Sequence, residues 1–155
     1  MIARPRLRTS LLTVICALAL ALPMASCGGD DPNQFREDYN AAVSNLSKIN
    51  SEIGSVSAGG AGQSNASIAK ELDNIAGAAD KARGDLAKLD PPEDAKKEFD
   101  TLLAALETGV DDLRSMAKAA KANNPEQAQA AAQALTKSGQ EITAAENALQ
   151  TAVDG

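Results

Sequence analysis

The sequence predicts an all-α protein, an antiparallel up-down-up-down four-helix bundle that follows an N-terminal segment of different character. Apolar residues recur at alternating intervals of three and four positions in four separate stretches, which gives each helix an apolar face for a partner helix. The chain is also 44% hydrophobic but only 2% aromatic. Much of this apolar content is alanine, the residue with the highest helix propensity. The period-two alternation typical of strands is absent.

The bundle is predicted as one domain over residues 32–155, and turn residues separate its helices. Asp31 and Asn124 each precede a proline, so each can cap a helix whose first residue is proline. The Pro91-Pro92 pair must interrupt helical structure. Residues 54–64 are rich in Gly, Ser and Ala, which is typical of a flexible loop. The predicted helices span approximately residues 32–57, 65–89, 92–122 and 125–153.

Up-down-up-down connectivity places the start of the first helix, the Pro91-Pro92 turn and the C-terminus at one end of the bundle. The loop at residues 54–64 and the Asn123-Asn124-Pro125 turn then form the opposite, distal tip. Bulky residues are expected to meet at the first end: Phe35, Tyr39, Leu89, Phe99 and Leu149. Small residues are expected towards the tip: Ala117, Ala120, Ala128 and Ala131. The alternative, a three-helix bundle with the first helix detached, would leave an apolar stripe in water.

Residues 1–26 have the three-part pattern of an export signal. Arg4, Arg6 and Arg8 form a basic start, and residues 11–22 are an apolar stretch. This stretch is shorter than the roughly 20 residues that span a bilayer. Pro23 and several small residues follow it. The segment is therefore predicted to be a cleaved signal peptide.

The end of this segment, Met24-Ala25-Ser26-Cys27, resembles the lipobox of bacterial prolipoproteins. The resemblance implies diacylglyceryl transfer to the Cys27 sulfur, cleavage between Ser26 and Cys27, and a membrane anchor of fatty acids such as palmitate. Residues 27–31 would then be a lipidated tether. Cys16 follows bulky residues and is expected to be lost with the signal, so lipidation would account for the one remaining thiol. The alternative is an ordinary cleaved signal with an incidental cysteine.

This resemblance implies an extracytoplasmic protein that is lipid-anchored to the cell membrane. The anchoring membrane would be the outer face of the plasma membrane, or an outer membrane if the host has one, which Gly28 would permit. The alanine-rich body also resembles uncharacterised helical lipoproteins of high-GC Gram-positive bacteria. That likeness is one of composition, and it implies no site residues.

The residue types argue against an enzyme, and no catalytic, cofactor-binding or metal-binding residue is predicted. The chain has no histidine, which removes catalytic triads and the Glu-x-x-His motif of di-iron bundles. From Cys27 onward, the chain has 12 basic and 21 acidic residues. The resulting net charge of −9 argues against nucleic acid as a partner. The acidic residues are expected to face solvent. Among them, Asp111 and Asp112 are expected to form a solvated pair with Arg114 near Asp111.

The sequence therefore favours a membrane-anchored, non-enzymatic helical module that binds or spaces something at the cell envelope. Membrane attachment would be through lipid on Cys27, and an envelope protein is a possible partner at the distal tip, which projects farthest. The alternative function is binding of a small apolar ligand between helices. Such a ligand is expected where small residues take the place of bulky ones, near Ala117, Ala120 and Ala128.

Overall fold

A computed structural model describes residues 32–59 and 63–155 of the chain. These residues form four antiparallel helices and no strand, which confirms the all-α four-helix bundle. A short 3₁₀ turn, Glu93–Ala95, precedes the third helix. The four helices are α1 (Pro32–Gly59), α2 (Asn65–Leu86), α3 (Lys96–Lys121) and α4 (Pro125–Asp154). The predicted signal peptide (1–26) and tether (27–31), with Cys16, Ser26 and Cys27, lie outside the described residues.

Two buried clusters form the core, one towards each end of the bundle. Bulky residues from all four helices meet near the start of α1, as the sequence predicts. There the ring of Phe35 packs edge-on against Phe99, with centroids 5.6 Å apart. The second cluster, towards the tip, combines Ile49, Leu72 and Leu113 with small residues such as Ala117. Because Phe35 and Ile49 of α1 are both buried in these clusters, α1 is part of the bundle and is not detached.

Three helix ends differ from the prediction by a few residues. The first helix continues to Gly59, so the expectation of a loop from residue 54 is wrong for residues 54–59. The other two ends flank the proline pair. The second helix ends at Leu86 rather than at residue 89, and the N–H of Leu89 bonds to the Leu86 carbonyl at 2.9 Å in a turn. Helical backbone angles are disfavoured at a residue that precedes proline. Pro91 therefore opposes a helix that would continue up to it. The third helix begins at Lys96 rather than at residue 92, because the segment after Pro92 first forms the 3₁₀ turn.

The start of α4 agrees with the prediction. The Asn124 side chain accepts a hydrogen bond from the Gln127 backbone N–H at 3.1 Å, and Pro125 occupies the first helical position. Just before this cap, Asn123 has a φ of 53°, a left-handed conformation that asparagine tolerates after a helix end. Its side-chain oxygen accepts a hydrogen bond from Asn65 Nδ2 at 2.5 Å. This bond joins the α3–α4 turn to the start of α2 at the distal tip.

The seams between neighbouring helices are unequal. The α2–α3 and α3–α4 pairs pack closely, and α1 packs mainly on α2. At the α3–α4 seam, a Cβ atom added to Gly109 would lie 3.3 Å from Ile142 Cδ1. Opposite it, Ser138 is only 1% exposed, and its hydroxyl donates to the Leu135 carbonyl at 3.1 Å. Small residues therefore let α3 and α4 approach closely, whereas the backbones of α1 and α4 stay apart.

Candidate functional site

The separation of α1 and α4 leaves an open groove between them, called here the α1–α4 groove. It has a volume of about 520 Å³ and lies near the start of α1 and the end of α4. Its apolar walls come from Phe35, Tyr39, Val43, Leu46, Leu149 and Val153. Polar side chains, including Asn40, Asn147 and Gln150, stand along its rim. The groove lining as a whole contains six apolar or aromatic residues and eight polar or charged ones, so a ligand there would meet both kinds of surface.

A smaller cavity of about 190 Å³, called here the deep slot, continues from this groove towards the tip. It reaches past α1 and α4 to the buried faces of α2 and α3. Most of its lining is apolar: Ile49, Ile53, Ala79, Leu106, Leu113, Leu135 and Ile142. Three residues line both the groove and the slot, namely Leu46, Asn50 and Glu146. The two spaces therefore meet at these residues.

Glu146 is the ionisable residue at this junction. It is half-buried, and burial raises the pKa of its carboxyl above the usual value of 4.5. Among the described residues, the Glu146 side chain has no hydrogen bond or ion pair. A carboxylate that is partly desolvated without a cation is less stable than one in water. A cationic group placed in the groove would offset this cost.

Tyr39 stands in the same groove, one turn along α1 from Phe35. The two rings stack with centroids 5.8 Å apart. Burial, and to a smaller extent the negative charge of Glu146, raise the pKa of the Tyr39 hydroxyl to about 12. Tyr39 is therefore neutral at physiological pH and presents an aromatic surface beside an unpaired carboxylate.

Arg36 joins α1 to α4 at the end of the groove near the C-terminus. Its Nη2 donates to the Val153 carbonyl at 2.9 Å and also bonds to the Asp154 carboxylate. Arg36 and Asp154 thus neutralise one another. They hold the two helices together where the groove ends, and they leave Glu146 as the lining charge that has no counter-ion among the described residues.

Asp80, at the α2–α3 seam, is in the opposite electrostatic situation. Its carboxylate accepts a hydrogen bond from Arg114 across the seam at 2.9 Å and from Arg83 at 3.1 Å. These hydrogen bonds, Arg114 first, lower the pKa of Asp80 below its usual value. Arg114 also contacts Asp111 at 3.3 Å, which confirms the predicted neighbourhood of these two residues. This cluster is half-exposed and its charges are paired, so we regard it as structural.

The sequence-based predictions for the site have three outcomes. The predicted lipidation residue Cys27 and its cleavage partner Ser26 lie outside the described residues. The expected ligand position near Ala117, Ala120 and Ala128 does not coincide with the α1–α4 groove or the deep slot, which none of these residues lines. The distal tip includes residues 60–62, which are not described, so a contact there stays a prediction.

The expectation that the acidic residues face solvent holds only in part at Glu146, which is half-buried beside the groove. The residue directly follows Ala145, a buried position of the apolar stripe of α4. In a fully closed bundle, a glutamate beside the stripe would extend towards solvent along the rim. Because α1 and α4 stay apart, Glu146 instead borders a groove that reaches the core. The sequence shows that Glu146 lies beside the apolar stripe of α4. Only the distance between α1 and α4 shows that this position borders a groove.

Within residues 32–59 and 63–155, no group of three or more His, Cys, Asp or Glu side chains is arranged to hold a metal ion. None of the helices in this described part combines the length and apolar character needed to cross a membrane. No protein-family model, curated protein or solved structure matches the chain.

Proposed function

We propose that the protein is a membrane-anchored extracytoplasmic lipoprotein and that its helical body is a non-enzymatic binding module that uses the α1–α4 groove. The observation that carries the binding role is the open seam itself. A groove of about 520 Å³ joined to a slot of about 190 Å³ falls in the size range of small-molecule sites. This position for a ligand differs from the alanine-lined one that the sequence favoured.

The energetics of packing support binding over a purely spacing role. A rigid spacer would be most stable with all seams closed, because burial of apolar surface contributes about 25 cal/mol per Å². Here Val43, Leu46 and Ile53 of α1 remain only partly buried beside the groove or the deep slot. A ligand that covers these side chains would recover part of that free energy. Binding thus explains the open seam, and spacing alone does not.

The anchoring role is supported by the Met24-Ala25-Ser26-Cys27 pattern and by its distance from the bundle. Cys27 and Pro32, where α1 begins, are five positions apart along the chain, with four residues between them. An extended chain of this length spans at most about 18 Å. With lipid on Cys27, the Phe35 end of the groove would therefore lie close to the bilayer surface, within reach of molecules in or near the membrane.

Replacement of the lipidation residue tests the anchoring part. We expect Cys27→Ser to abolish the lipid-modified N-terminal peptide and the maturation that depends on it. Mass spectrometry of the membrane-extracted protein should find acyl mass on a peptide that begins at Cys27 in the parent chain. The matched control is Cys16→Ser, which should leave lipidation unchanged. An unmodified mature N-terminus in the parent chain would refute the anchor.

Thiol labelling in intact cells tests the binding part. If Cys27 is acylated, an introduced cysteine is the one reactive thiol of the mature protein. Asn147→Cys lies on the rim of the groove, and Gln133→Cys lies on an exposed part of α4 outside it. We expect a maleimide to label Asn147→Cys more slowly in cells than after purification, while Gln133→Cys reacts equally in both. Equal labelling of the two variants in both states would refute occupation of the groove.

A further inference from the structure

We infer that the α1–α4 groove binds a small amphipathic organic cation, an aliphatic ammonium whose alkyl chain enters the deep slot and whose charged group lies beside Glu146. This inference rests on the proposed binding function and names the class of ligand. It follows from the charges that line the groove, from the size and polarity of the slot, and from the position of Glu146 between the two spaces.

The charge of the ligand follows from the charged side chains of the lining. These are Arg36, Glu146 and Asp154. Arg36 and Asp154 form an ion pair with one another, so their charges are already compensated. Glu146 retains an uncompensated negative charge in a partly desolvated position. A cation is therefore attracted to the junction, whereas an anion would be repelled there and by the acidic chain as a whole.

The type of cation follows from the neighbours of Glu146. An ammonium group carries three N–H donors and no acceptor. The Glu146 carboxylate can accept one of these, and the side-chain oxygen of Asn50, which lines the same junction, is a second acceptor. The Tyr39 and Phe35 rings extend along the groove from this point. Aromatic faces also attract cations.

The apolar part of the ligand follows from the slot. Its apolar lining favours a hydrocarbon group, and its volume of about 190 Å³ limits the size of that group. An apolar cavity of about 150 Å³ in another protein binds benzene. A chain of about six carbons is therefore the size that the slot accommodates. The wider groove could hold a further, more polar part of the molecule.

The same dimensions argue against a helix as the occupant. An α-helix with its side chains is about 10–12 Å across, so a helix laid on the open groove could not enter the deep slot of about 190 Å³ and would leave its apolar lining uncovered. The Arg36–Asp154 ion pair also joins α1 to α4 at one end, which would obstruct a helix laid along the seam. These dimensions disfavour both a partner helix and a second copy of the chain, and they favour a small molecule.

Hexylamine, which is charged at neutral pH, is the probe that tests this inference. The lipidated protein in detergent micelles is titrated while the backbone amide signals of two glycines are followed by NMR. Gly139 lines the slot, and Gly77 on α2 does not. We expect a saturable shift of the Gly139 signal and no shift of the Gly77 signal. Hexanol and hexanoate, of the same length, are expected to bind at least about tenfold more weakly, because hexanol carries no positive charge and hexanoate carries a negative charge that Glu146 repels.

Two variants and one matched control locate the binding groups. Glu146→Gln should weaken hexylamine binding by about tenfold or more. Glu141→Gln, on the same helix outside the groove and paired with Lys137 at 3.2 Å, should bind as the parent does. Gly139→Leu places bulk at the slot, where an added Cβ meets no atom within 4 Å, and should also reduce binding. Thermal unfolding of each variant establishes that it remains folded.

Four results would overturn the inference: no saturable shift of Gly139, equal binding of hexanol, equal binding of hexanoate, or unchanged binding in folded Glu146→Gln. A Gly139 signal that moves with protein concentration alone would instead identify a second copy as the occupant and would overturn it as well. The proposed binding function is tested separately, by the thiol-labelling experiment. Protection of Asn147→Cys in cells without hexylamine binding would leave the groove as a site and reject the ammonium ligand.

Discussion

The two sides of α4 form seams of different width, although both are made by one amphipathic helix. Towards α3, the small residues Gly109 and Ser138 allow the backbones to approach, and a single added methyl group at Gly109 would crowd Ile142. Towards α1, the larger polar residues Glu146, Asn147 and Gln150 line a groove. Side-chain size at the contact thus determines which seam closes, since the distance between packed helices depends on the residues between them.

The carboxylates at a closed seam and at the open α1–α4 seam also differ, in whether they have a positively charged partner. Asp80, at the closed α2–α3 seam, is held by Arg83 and Arg114, and its pKa is lowered. Glu146, at the open seam, has no cation among the described residues, and burial raises its pKa. The closed seams therefore contain polar groups that already have partners. The open seam contains one that still needs a partner, which is the property expected of a binding site.

The largest expected effect comes from truncation in the closed part of the core. Leu102 is fully buried among Phe35, Leu86 and Phe99, so Leu102→Ala should lower the free energy of unfolding by about 2–5 kcal/mol. Leu46→Ala, on the partly buried wall of the groove, should cost only about 1 kcal/mol because water already reaches that side chain. Urea unfolding in identical micelles measures both. Equal losses would mean that the α1–α4 seam is closed in solution.

The second prediction concerns the approach of α3 to α4. Gly109→Leu should lower the free energy of unfolding by about 1–3 kcal/mol, because the added side chain overfills a close contact. At Gly77 an added Cβ meets no atom within 4 Å. Gly77→Leu should therefore increase stability by up to about 0.8 kcal/mol through helix propensity. The same urea unfolding compares them. A stabilising Gly109→Leu would show that the α3–α4 seam is wider than described.

The smallest effects come from titration, and they have opposite signs at the two carboxylates. Because the folded-state pKa of Asp80 is lowered, its contribution to stability is present above about pH 4 and is lost as the pH falls through the folded-state value. The raised pKa of Glu146 means that its charged form destabilises the fold, a cost relieved as the pH falls through that pKa.

Melting temperatures from pH 7 down to pH 3 check these signs. The stability difference between the parent chain and Asp80→Asn should shrink below pH 4. Glu146→Gln should match or slightly exceed the parent at pH 7, within about 0.5 kcal/mol, and this gain should disappear in acid. A Glu146→Gln variant that is clearly less stable at pH 7 would indicate that Glu146 has a stabilising partner, and the contrast between the two regions would be lost.

Much of the bundle could be predicted from the spacing of residues, but the site could not. The stripe that includes Phe35, Phe99 and Leu149 predicts a common apolar cluster, which the structure contains. Asn124 before Pro125 predicts the cap at the start of α4, and the bond to Gln127 confirms it. By contrast, Glu146 reads in the sequence as one more acidic residue beside a stripe. The spacing of apolar residues along one helix does not predict the distance to the neighbouring helix.

The sequence by itself therefore determined four amphipathic helices, the breaks between them and the bulky end of their shared core, because these depend on local propensity and on which face of each helix is apolar. The lipobox-like segment before Cys27 is likewise a feature of sequence, and its role is proposed on that basis. Only the tertiary structure decided that α3 and α4 meet closely while α1 and α4 leave a groove. Those distances depend on side chains from different helices, such as Gly109 and Ile142, that meet only when the chain folds.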